Sequence, residues 1–345
     1  MNERRTEISE FGEFGLINHL TKNWPMFRKE SLKAVGDDAA VLDSSDQITL
    51  ISTDMLVEGV HFDLSYSPLK HLGYKAVVVN LSDICAMNGE PHQVLVSLAI
   101  SNRFPVEALE ELYFGIKQAC QNYKVDLIGG DTTTSRSGLV ISVTAVGKAE
   151  KGKEVYRSGA AMNELLVVSG DLGAAYMGLQ ILEREKSVYQ SSPEVQPDLN
   201  GADYILERQL KPEARVDVKI YLKELGIEPT SMIDISDGLS SEAIHLAKAS
   251  GLGLSIYEEK IPIDNLTYDK AREFNLDPTL CALSGGEDYE LLFTIAQEDF
   301  EKIKDHPHFS VIGHMSDPAA GYVLIDRNGG QHQLTAQGWD PLLKG

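Results

Sequence analysis

Several apolar segments of the 345-residue chain end in a serine, threonine or glycine that is followed directly by an aspartate. Five endings share this pattern and close on an aspartate: Asp54, Asp83, Asp131, Asp171 and Asp237. Further carboxylates stand at Asp37–Asp38, Asp234 and Glu287–Asp288. One such ending is a turn, but their recurrence indicates carboxylates that converge at one edge of a sheet or in a crevice between domains. Converged carboxylates repel one another strongly unless cations lie among them.

A cluster of this kind could bind a hard divalent cation. Ser52, Thr53 and Asp54 place two hydroxyls and a carboxylate side by side at the end of a predicted strand. Taken alone, the triplet favours a polar turn, and only the recurrence of the pattern shifts the interpretation towards metal binding. Oxygen ligands with few histidine or cysteine partners indicate Mg²⁺ rather than zinc. Clusters of Mg²⁺ commonly hold polyphosphate, so these residues predict phosphoryl transfer.

Glycines and one arginine could contact the phosphates. Gly129, Gly130, Gly285 and Gly286 adjoin the carboxylates, where they let backbone N–H groups approach phosphate oxygens closely. Arg157 could bind a phosphate through two hydrogen bonds, although an arginine in an exposed loop more often has no role in ligand binding.

The common nucleotide-binding and catalytic signatures are absent from the sequence. The segment 147–154 matches the spacing of a P-loop, but it ends in Glu154 where a serine or threonine should bind the metal, and no helix pattern follows. No dinucleotide-binding glycine motif and no protein-kinase motif set occur. No serine–histidine–aspartate or cysteine–histidine arrangement stands out. The sequence therefore predicts transfer by metals and substrates held in line, without a covalent intermediate.

Strands and helices must position these groups. The alternation of Ile48–Thr53 predicts a strand that stops just before Asp54, and Val125–Ile128 predicts a short strand that breaks at the glycines. Leu69–Met87 is proline-free and long enough to predict a helix, which places Asn80, Asp83 and Met87 on one face. A carboxylate at position 83 in such apolar surroundings must be paired or bound to metal.

The remaining patterns predict two domains, residues 1–148 and 149–345, divided near the charged stretch Lys148–Lys153. Amphipathic spacing predicts an N-terminal helix over Glu10–Leu20 and another over Pro105–Tyr123. In the second half, helical spacing runs from Ala202 to Leu225, and Asn328–Gly329 predicts a hairpin turn.

Composition limits the partners and the compartment. The chain has 52 acidic and 31 basic residues, a formal charge of −21, which argues against binding to nucleic acid or to an anionic membrane. Its three cysteines are widely spaced and form no disulfide framework, so a reducing compartment is expected. No secretion signal and no membrane-spanning run is evident, so we expect a soluble cytoplasmic protein.

Seven sequence blocks in register resemble the thiamine-monophosphate kinases, within the wider group of aminoimidazole-ribonucleotide synthetase-like ATP-binding enzymes. They cover nearly the whole chain: Gly36–Ala39, Ser52–Phe62, Asn80–Asp83, Gly129–Thr133, Arg157–Gly159, Asp234–Leu239 and Ser284–Leu291. The resemblance implies a mixed α/β, two-domain PurM-like fold. Its N-terminal ATP- and Mg²⁺-binding domain would pair strands across a homodimer, with the site in the cleft between the two domains.

The implied reaction transfers the γ-phosphoryl group of ATP directly onto the phosphate of thiamine monophosphate, giving thiamine diphosphate and ADP. The acceptor is already an anion, so no general base is required. By resemblance, several Mg²⁺ ions would be held by Asp38, Ser52, Thr53, Asp54, Asp83, Asp131, Asp234 and Asp237. The nucleotide would contact Gly130, Asp131, Arg157, Ser236 and Tyr113, and the thiamine end would contact His61, Glu287 and Trp339.

Some alternatives stay open at this point. Trp339 could fill the core instead of stacking on thiamine, Asp37 could only set the turn for Asp38, and Asp171 matches no implied ligand and is interpreted as a structural turn. Another ATP-dependent synthetase of the same superfamily is the first competing function. Selenophosphate synthetases among them require a reactive cysteine or selenocysteine near the N-terminus, and here no cysteine precedes Cys85. The second is a non-catalytic acidic metal-binding protein.

Overall fold

The computed structural model describes residues 31–33, 36–44 and 46–336. The predicted helix Glu10–Leu20 and the predicted substrate contact Trp339 lie outside these residues. The described chain forms two mixed β-sheets with helices packed against them, which confirms the predicted α/β class. Within these ranges, no helix is long and apolar enough to cross a membrane.

Six strands form the first sheet, in the order β1-β2-β3-β6-β4-β5. Their bounds are β1 Ser31–Lys33, β2 Ala40–Asp43, β3 Gln47–Val57, β4 Glu90–Ile100, β5 Asp126–Thr134 and β6 Leu139–Glu150. Only β4 and β5 run parallel, and every other neighbouring pair is antiparallel. The whole of β5 is exposed at one edge of the sheet.

Two strands extend further than their sequence pattern predicts. The strand predicted to stop before Asp54 continues to Val57, because β6 pairs with β3 along its whole length. β5 likewise runs through Gly129 and Gly130, since β4 provides a parallel partner for the backbone of both glycines. Polar triplets and glycines weaken a strand locally, but an extended partner strand still satisfies their backbone groups.

Two long helices, α1 (Leu69–Ala86) and α2 (Val106–Tyr123), form close to the predicted positions. α1 is buried on nearly all sides, and its buried residues include the polar Lys75, Asn80 and Ser82 as well as many apolar ones. It crosses α2 at a very short distance: a Cβ on Gly73 would lie 2.0 Å from the carbonyl oxygen of Leu112, and one on Gly115 would lie 1.8 Å from that of Lys70.

Seven strands form the second sheet, in the order β13-β12-β9-β11-β7-β10-β8. Their bounds are β7 Leu165–Ser169, β8 Ser231–Asp234, β9 Gly253–Tyr257, β10 Leu291–Ile295, β11 Phe309–Ser316, β12 Tyr322–Ile325 and β13 Gln331–Gln333. β12 and β13 form the hairpin predicted at Asn328–Gly329. The first sheet ends at Glu150 and the second starts at Leu165, so the predicted boundary at 148/149 falls within β6.

The helices of the second half are α3 Ala174–Ser191, α4 Asp203–Leu210, α5 Val216–Leu225, α6 Leu239–Ser250, α7 Asn265–Glu273, α8 Pro278–Ser284 and α9 Phe300–Ile303. The helical pattern predicted over 202–225 thus forms two helices, α4 and α5, and the break between them contains Pro212, which lacks an N–H donor.

The two sheets share one hydrophobic core. Val77 and Leu81 of α1 belong to the same buried cluster as Val218 of α5, Met232 of β8 and Phe293 of β10. The end of β8 is therefore held against α1, and this contact sets the position of the candidate site.

The contact between α1 and α2 gives a stability prediction. Gly115→Ala should lower the free energy of unfolding by about 2 kcal/mol or more, because an added methyl group collides with backbone that cannot move aside. Thermal unfolding measures the effect. Gln118→Ala, on the exposed side of the same helix, is the matched control and should change the free energy of unfolding by less than about 0.5 kcal/mol. Equal midpoints for the two variants would contradict the close crossing.

Candidate active site

Three aspartates from different parts of the chain meet at one point. Asp38 precedes β2, Asp83 lies on α1 and Asp234 ends β8, and each offers a carboxylate oxygen within 4.8 Å of the others. Asp38 and Asp234 are buried and Asp83 is half-buried. The predicted convergence therefore occurs in a crevice between the two halves rather than along one sheet edge.

Hydroxyl and amide groups fix this cluster. Ser52 on β3 donates a short hydrogen bond to Asp83, and Ser82 on α1 donates one of 2.6 Å to Asp234. The side-chain oxygen of Asn80 accepts the backbone N–H of Asp54 at 2.8 Å, which ties β3 to α1. The helical face predicted from the sequence is thus the face that carries the site.

The electrostatics of the three carboxylates are unfavourable without a cation. Burial is the main cause that raises the pKa of Asp38, Asp83 and Asp234, the last to about 7, and neighbouring carboxylates raise them further. Asp54 lies near enough to contribute to the raised pKa of both Asp83 and Asp234. A donor set of oxygens alone, with excess negative charge in low dielectric, fits a hard divalent cation.

Arg157 pairs with Asp38 of the cluster, and its contact with a phosphate stays a prediction. Its Nε and Nη2 donate to the two oxygens of Asp38 at 2.9 and 2.8 Å. Burial acts to lower the pKa of Arg157, yet the adjacent Asp38 carboxylate raises it above its usual value. Asp37 accepts the backbone N–H groups of Asp38 and Arg157, at 3.2 and 3.1 Å. It orders the turn that presents Asp38, the role left open by the sequence.

Two predicted metal ligands, Thr53 and Asp237, are not brought to the three-aspartate cluster by their side chains. The Thr53 hydroxyl lies on the face of the first sheet opposite α1, where it donates to the carbonyl of Val143 and contacts the hydroxyl of Thr144. Side chains alternate along a strand, so a hydroxyl next to Ser52 and Asp54 must point away from them. Asp237 lies outside the three-aspartate cluster, at the start of α6.

A cavity of about 460 Å³ opens beside the cluster. His61, Ser236 and Glu287, which were predicted to contact substrate or nucleotide, all line it. Phe62, Leu72, Tyr176 and Leu179 supply apolar wall. A cavity of this size with a few polar groups on an apolar wall is typical of a small-molecule site.

His61 is held in a defined orientation at this cavity. Its Nδ1 accepts the backbone N–H of Val57 at 3.0 Å. Burial lowers the pKa of His61, which favours the neutral ring, and a neutral ring whose Nδ1 accepts a hydrogen bond carries its proton on Nε2. It thus presents a hydrogen-bond donor without a full charge.

Glu287 is held by two residues that the sequence did not indicate. Lys75 Nζ lies 2.9 Å from one of its oxygens, and Gln209 Nε2 donates to the other at 2.7 Å. Lys75 is a buried cation at the start of the apolar run Ala76–Val79 of α1, and this charged residue beside an apolar run was the available signal. No local sequence pattern indicated the role of Gln209, because its side chain is brought to Glu287 only by the tertiary fold.

Charged groups also line part of the cavity. Lys186 of α3 pairs with Asp63 at 2.8 Å and with Glu183 at 3.2 Å, and its ammonium lies over the ring of Tyr66. The Tyr66 hydroxyl donates to Glu183 at 2.7 Å. These contacts join the loop after β3 to the second half of the chain.

The other predicted nucleotide contacts lie away from the cluster. Gly130 and Asp131 are on the exposed edge strand β5, and three strand spacings separate Asp131 from β3, roughly 14 Å. Tyr113 is on the exposed side of α2. One protomer therefore does not bring these three residues to the three aspartates.

Asp171 has the contacts of a structural residue, as interpreted from the sequence. Its carboxylate accepts the Tyr204 hydroxyl at 2.6 Å, and its backbone carbonyl accepts Arg208 at 2.9 Å. Burial raises its pKa.

The amino-acid sequence is similar to a known protein family and to several known proteins. Residues 36–149 match the family model described as AIR synthase related protein, N-terminal domain. The chain is 38% identical to the thiamine-monophosphate kinase of Aquifex aeolicus, over 86% of this chain and 90% of that protein. It is 34% identical to that of Bacillus subtilis, over 91% and 94%.

The fold is also similar to that of a solved structure. AaThiL complexed with AMPPCP and TMP superposes with a TM-score of 0.82 at 32% identity, over 99% of both chains. The sequence similarity and the shared fold both extend over nearly the whole length of the chain. The chain belongs to the thiamine-monophosphate kinase family.

Proposed function

We propose that this protein is an ATP-dependent kinase that phosphorylates thiamine monophosphate to thiamine diphosphate. The observation that carries the proposal is the three-aspartate cluster, built from both halves of the chain beside a cavity that contains His61 and Glu287. Relatives that match nearly the full length are thiamine-monophosphate kinases, and the AaThiL complex holds AMPPCP and TMP.

The chemical obstacle is the repulsion between a triphosphate and a monophosphate, and the cluster is suited to relieve it. Asp38, Asp54, Asp83 and Asp234, with Ser52, are the residues that would hold Mg²⁺. When bound, the ions supply positive charge that offsets the charge of the phosphates during transfer. Arg157 balances part of the anionic charge by its paired hydrogen bonds to Asp38.

The cavity has the charge expected for a thiamine ring. Its lining includes three carboxylates and two ammonium groups, which leaves one negative charge in excess: Asp63, Glu183, Glu287, Lys75 and Lys186. The thiazolium ring of thiamine carries one permanent positive charge. The neutral, oriented His61 adds a donor without adding to this balance.

A homodimer would complete the site. Among the described residues, β2 pairs with β3 only as far as Ile51 and no other strand continues the pairing on that side, and β5 is exposed along its whole length. Leu127 and Ile128 on β5 are 45% and 58% exposed, and Met55 on β3 is 55% exposed. Exposed apolar strand edges favour pairing with a second copy. Pairing β5 of one protomer with β3 of the other would bring Asp131 to the partner's cluster.

We also propose a cytoplasmic location. Cys85, Cys120 and Cys281 are free thiols, and burial is the main cause that raises the pKa of all three. Unpaired cysteines are typical of a reducing compartment.

The first prediction concerns the reaction itself. The protein incubated with ATP, Mg²⁺ and thiamine monophosphate should form thiamine diphosphate and ADP in equal amounts, measured by chromatography. Omission of the divalent cation should abolish the product. Product formed from another phosphate or amide acceptor, with none from thiamine monophosphate, would instead identify a synthetase of the same superfamily. No ATP turnover with any acceptor would indicate a metal-binding protein without catalysis.

The second prediction uses Asp83→Asn, which keeps a hydrogen-bond acceptor for Ser52 and removes one negative charge. In the absence of divalent cations this variant should unfold at a higher temperature than the wild type, because repulsion in the cluster falls. Its turnover should drop at least about a hundredfold, since a ligand for the cation is lost. Thermal scans with and without Mg²⁺ and steady-state assays measure both effects.

Asp305→Asn, an exposed carboxylate outside the cluster, is the matched control and should leave stability and turnover unchanged. An Asp83→Asn variant with normal turnover and a normal rise of Tm with Mg²⁺ would refute the assignment of the cluster.

The third prediction tests the shared site. Asp83→Asn and Asp131→Asn homodimers should each be nearly inactive. When the two variants are mixed and allowed to exchange subunits, activity should recover to about a quarter of the wild-type value, because half of the dimers then contain one intact site. Light scattering establishes the dimer, and activity is assayed before and after exchange. If the activity after mixing stays as low as that of the separate variants, both aspartates belong to the same protomer's site.

A further inference from the structure

We propose that Arg208 and Gln209, consecutive residues at the end of α4, form the positioning element for Glu287. Arg208 holds the backbone of the loop that carries this carboxylate, and Gln209 holds the carboxylate itself. The kinetic consequence rests on the proposed function, because it requires Glu287 to contact the thiamine end of the substrate. The structural consequence does not depend on that function.

The loop that carries Glu287 has an unfavourable backbone. Glu287 and Tyr289 adopt φ values of +60° and +52°, in the left-handed region that residues with a Cβ rarely occupy. Each such residue costs about 1–3 kcal/mol, and it persists only where its surroundings fix it. A residue with this strain beside a substrate cavity therefore needs an anchor.

Buried carboxylates on the alternate residues provide that anchor. Asp288 accepts the backbone N–H of Gly173 at 2.9 Å, and Glu290 accepts the hydroxyl of Ser169 at 2.6 Å. Both carboxylates are almost completely buried. The side chains of Asp288 and Glu290, which flank Tyr289, thus point into the protein, while Glu287 lines the cavity.

Arg208 connects these two anchors. Its Nη1 donates to Glu290 at 2.9 Å, its Nη2 donates to the backbone carbonyl of Asp171 at 2.9 Å, and Nη2 lies 3.8 Å from Asp288. Arg215 also donates to Glu290. Buried ion pairs contribute little net stability because both charges lose their hydration, so a network of this kind is better explained by the geometry that it enforces.

Gln209 acts on the same carboxylate from the next position in the chain. Its Nε2 donates to Glu287 at 2.7 Å, while its backbone carbonyl accepts Lys75 Nζ at 3.0 Å. Lys75 then reaches the second oxygen of Glu287 at 2.9 Å. Both oxygens of Glu287 are thereby held by donors linked to α4: Gln209 belongs to it, and Lys75 of α1 is hydrogen-bonded to it.

Backbone hydrogen bonds report whether the loop is held. The N–H of Glu287 donates to the Ser236 carbonyl at 2.6 Å, and that of Tyr289 donates to the Ile235 carbonyl at 2.9 Å. These two amides should be protected from hydrogen exchange for as long as the loop keeps its strained conformation.

The test uses Arg208→Lys, which keeps the charge but lacks the planar fork needed to hold two partners. Exchange at the amides of Glu287 and Tyr289 should accelerate by about tenfold or more, the loss expected for one charge-assisted hydrogen bond, while amides of α1 stay unchanged. The KM for thiamine monophosphate should rise by a similar factor. The KM for ATP should stay within about twofold of the wild type, because the loop contacts the other substrate.

A second variant and a control complete the design. Gln209→Met removes the donor to Glu287 with little change of volume, so it should raise the KM for thiamine monophosphate even if Arg208→Lys fails to fold. Arg184→Lys replaces an exposed arginine of α3 and should alter neither constant. Adding Arg208→Lys to Glu287→Gln should have little further effect on that KM, since the two residues act through one carboxylate.

The outcomes separate the two claims. Wild-type protein that forms no thiamine diphosphate would overturn the proposed function, and the exchange rates would still decide the role of Arg208. Unchanged exchange at Glu287 and Tyr289 in folded Arg208→Lys would overturn the anchoring. Equal increases in both KM values, or additive effects in the double variant, would indicate a structural role without positioning.

Discussion

Mutual repulsion among Asp38, Asp83 and Asp234 is the constraint on which the rest of the structure depends. Three carboxylates in a poorly hydrated crevice destabilise any fold that brings them together without compensation. The chain counters this with hydroxyl donors from Ser52 and Ser82 and with the guanidinium of Arg157. A divalent cation would complete the compensation, so a fold that is unfavourable here when empty is suited to bind metal and phosphate.

Hydrophobic packing provides the energy that holds these charges in place. α1 is buried between the two sheets, and its apolar residues share a core with β8 and β10 of the second half. Asp83 on α1 and Asp234 on β8 are consequently adjacent whether or not a ligand is bound. The substrate cavity is lined by residues of both halves, so the candidate metal and substrate contacts both depend on this junction.

Much of this site could be predicted from the sequence, and the failures have physical causes. Periodicity identified α1 and the face that carries Asp83, because a helix relates side chains locally. The alternation over Ile48–Thr53 already places Ser52 and Thr53 on opposite faces, and Thr53 was named as a ligand only through the family resemblance; in the structure its hydroxyl contacts Val143 and Thr144 instead. The Asp38 partner of Arg157 and the exposed position of Asp131 are tertiary results, and no local pattern contains them.

The shared core also determines how substrates can reach the cavity. Separating the two halves would expose the apolar residues of α1 and β8 to water, at a cost comparable to unfolding. The ion pairs of Lys186 with Asp63 and Glu183 in the cavity wall join half-buried groups that still reach solvent, and such pairs contribute about 0–1 kcal/mol each. Local displacement of the Asp63–Tyr66 loop would therefore cost far less free energy than separation of the two halves.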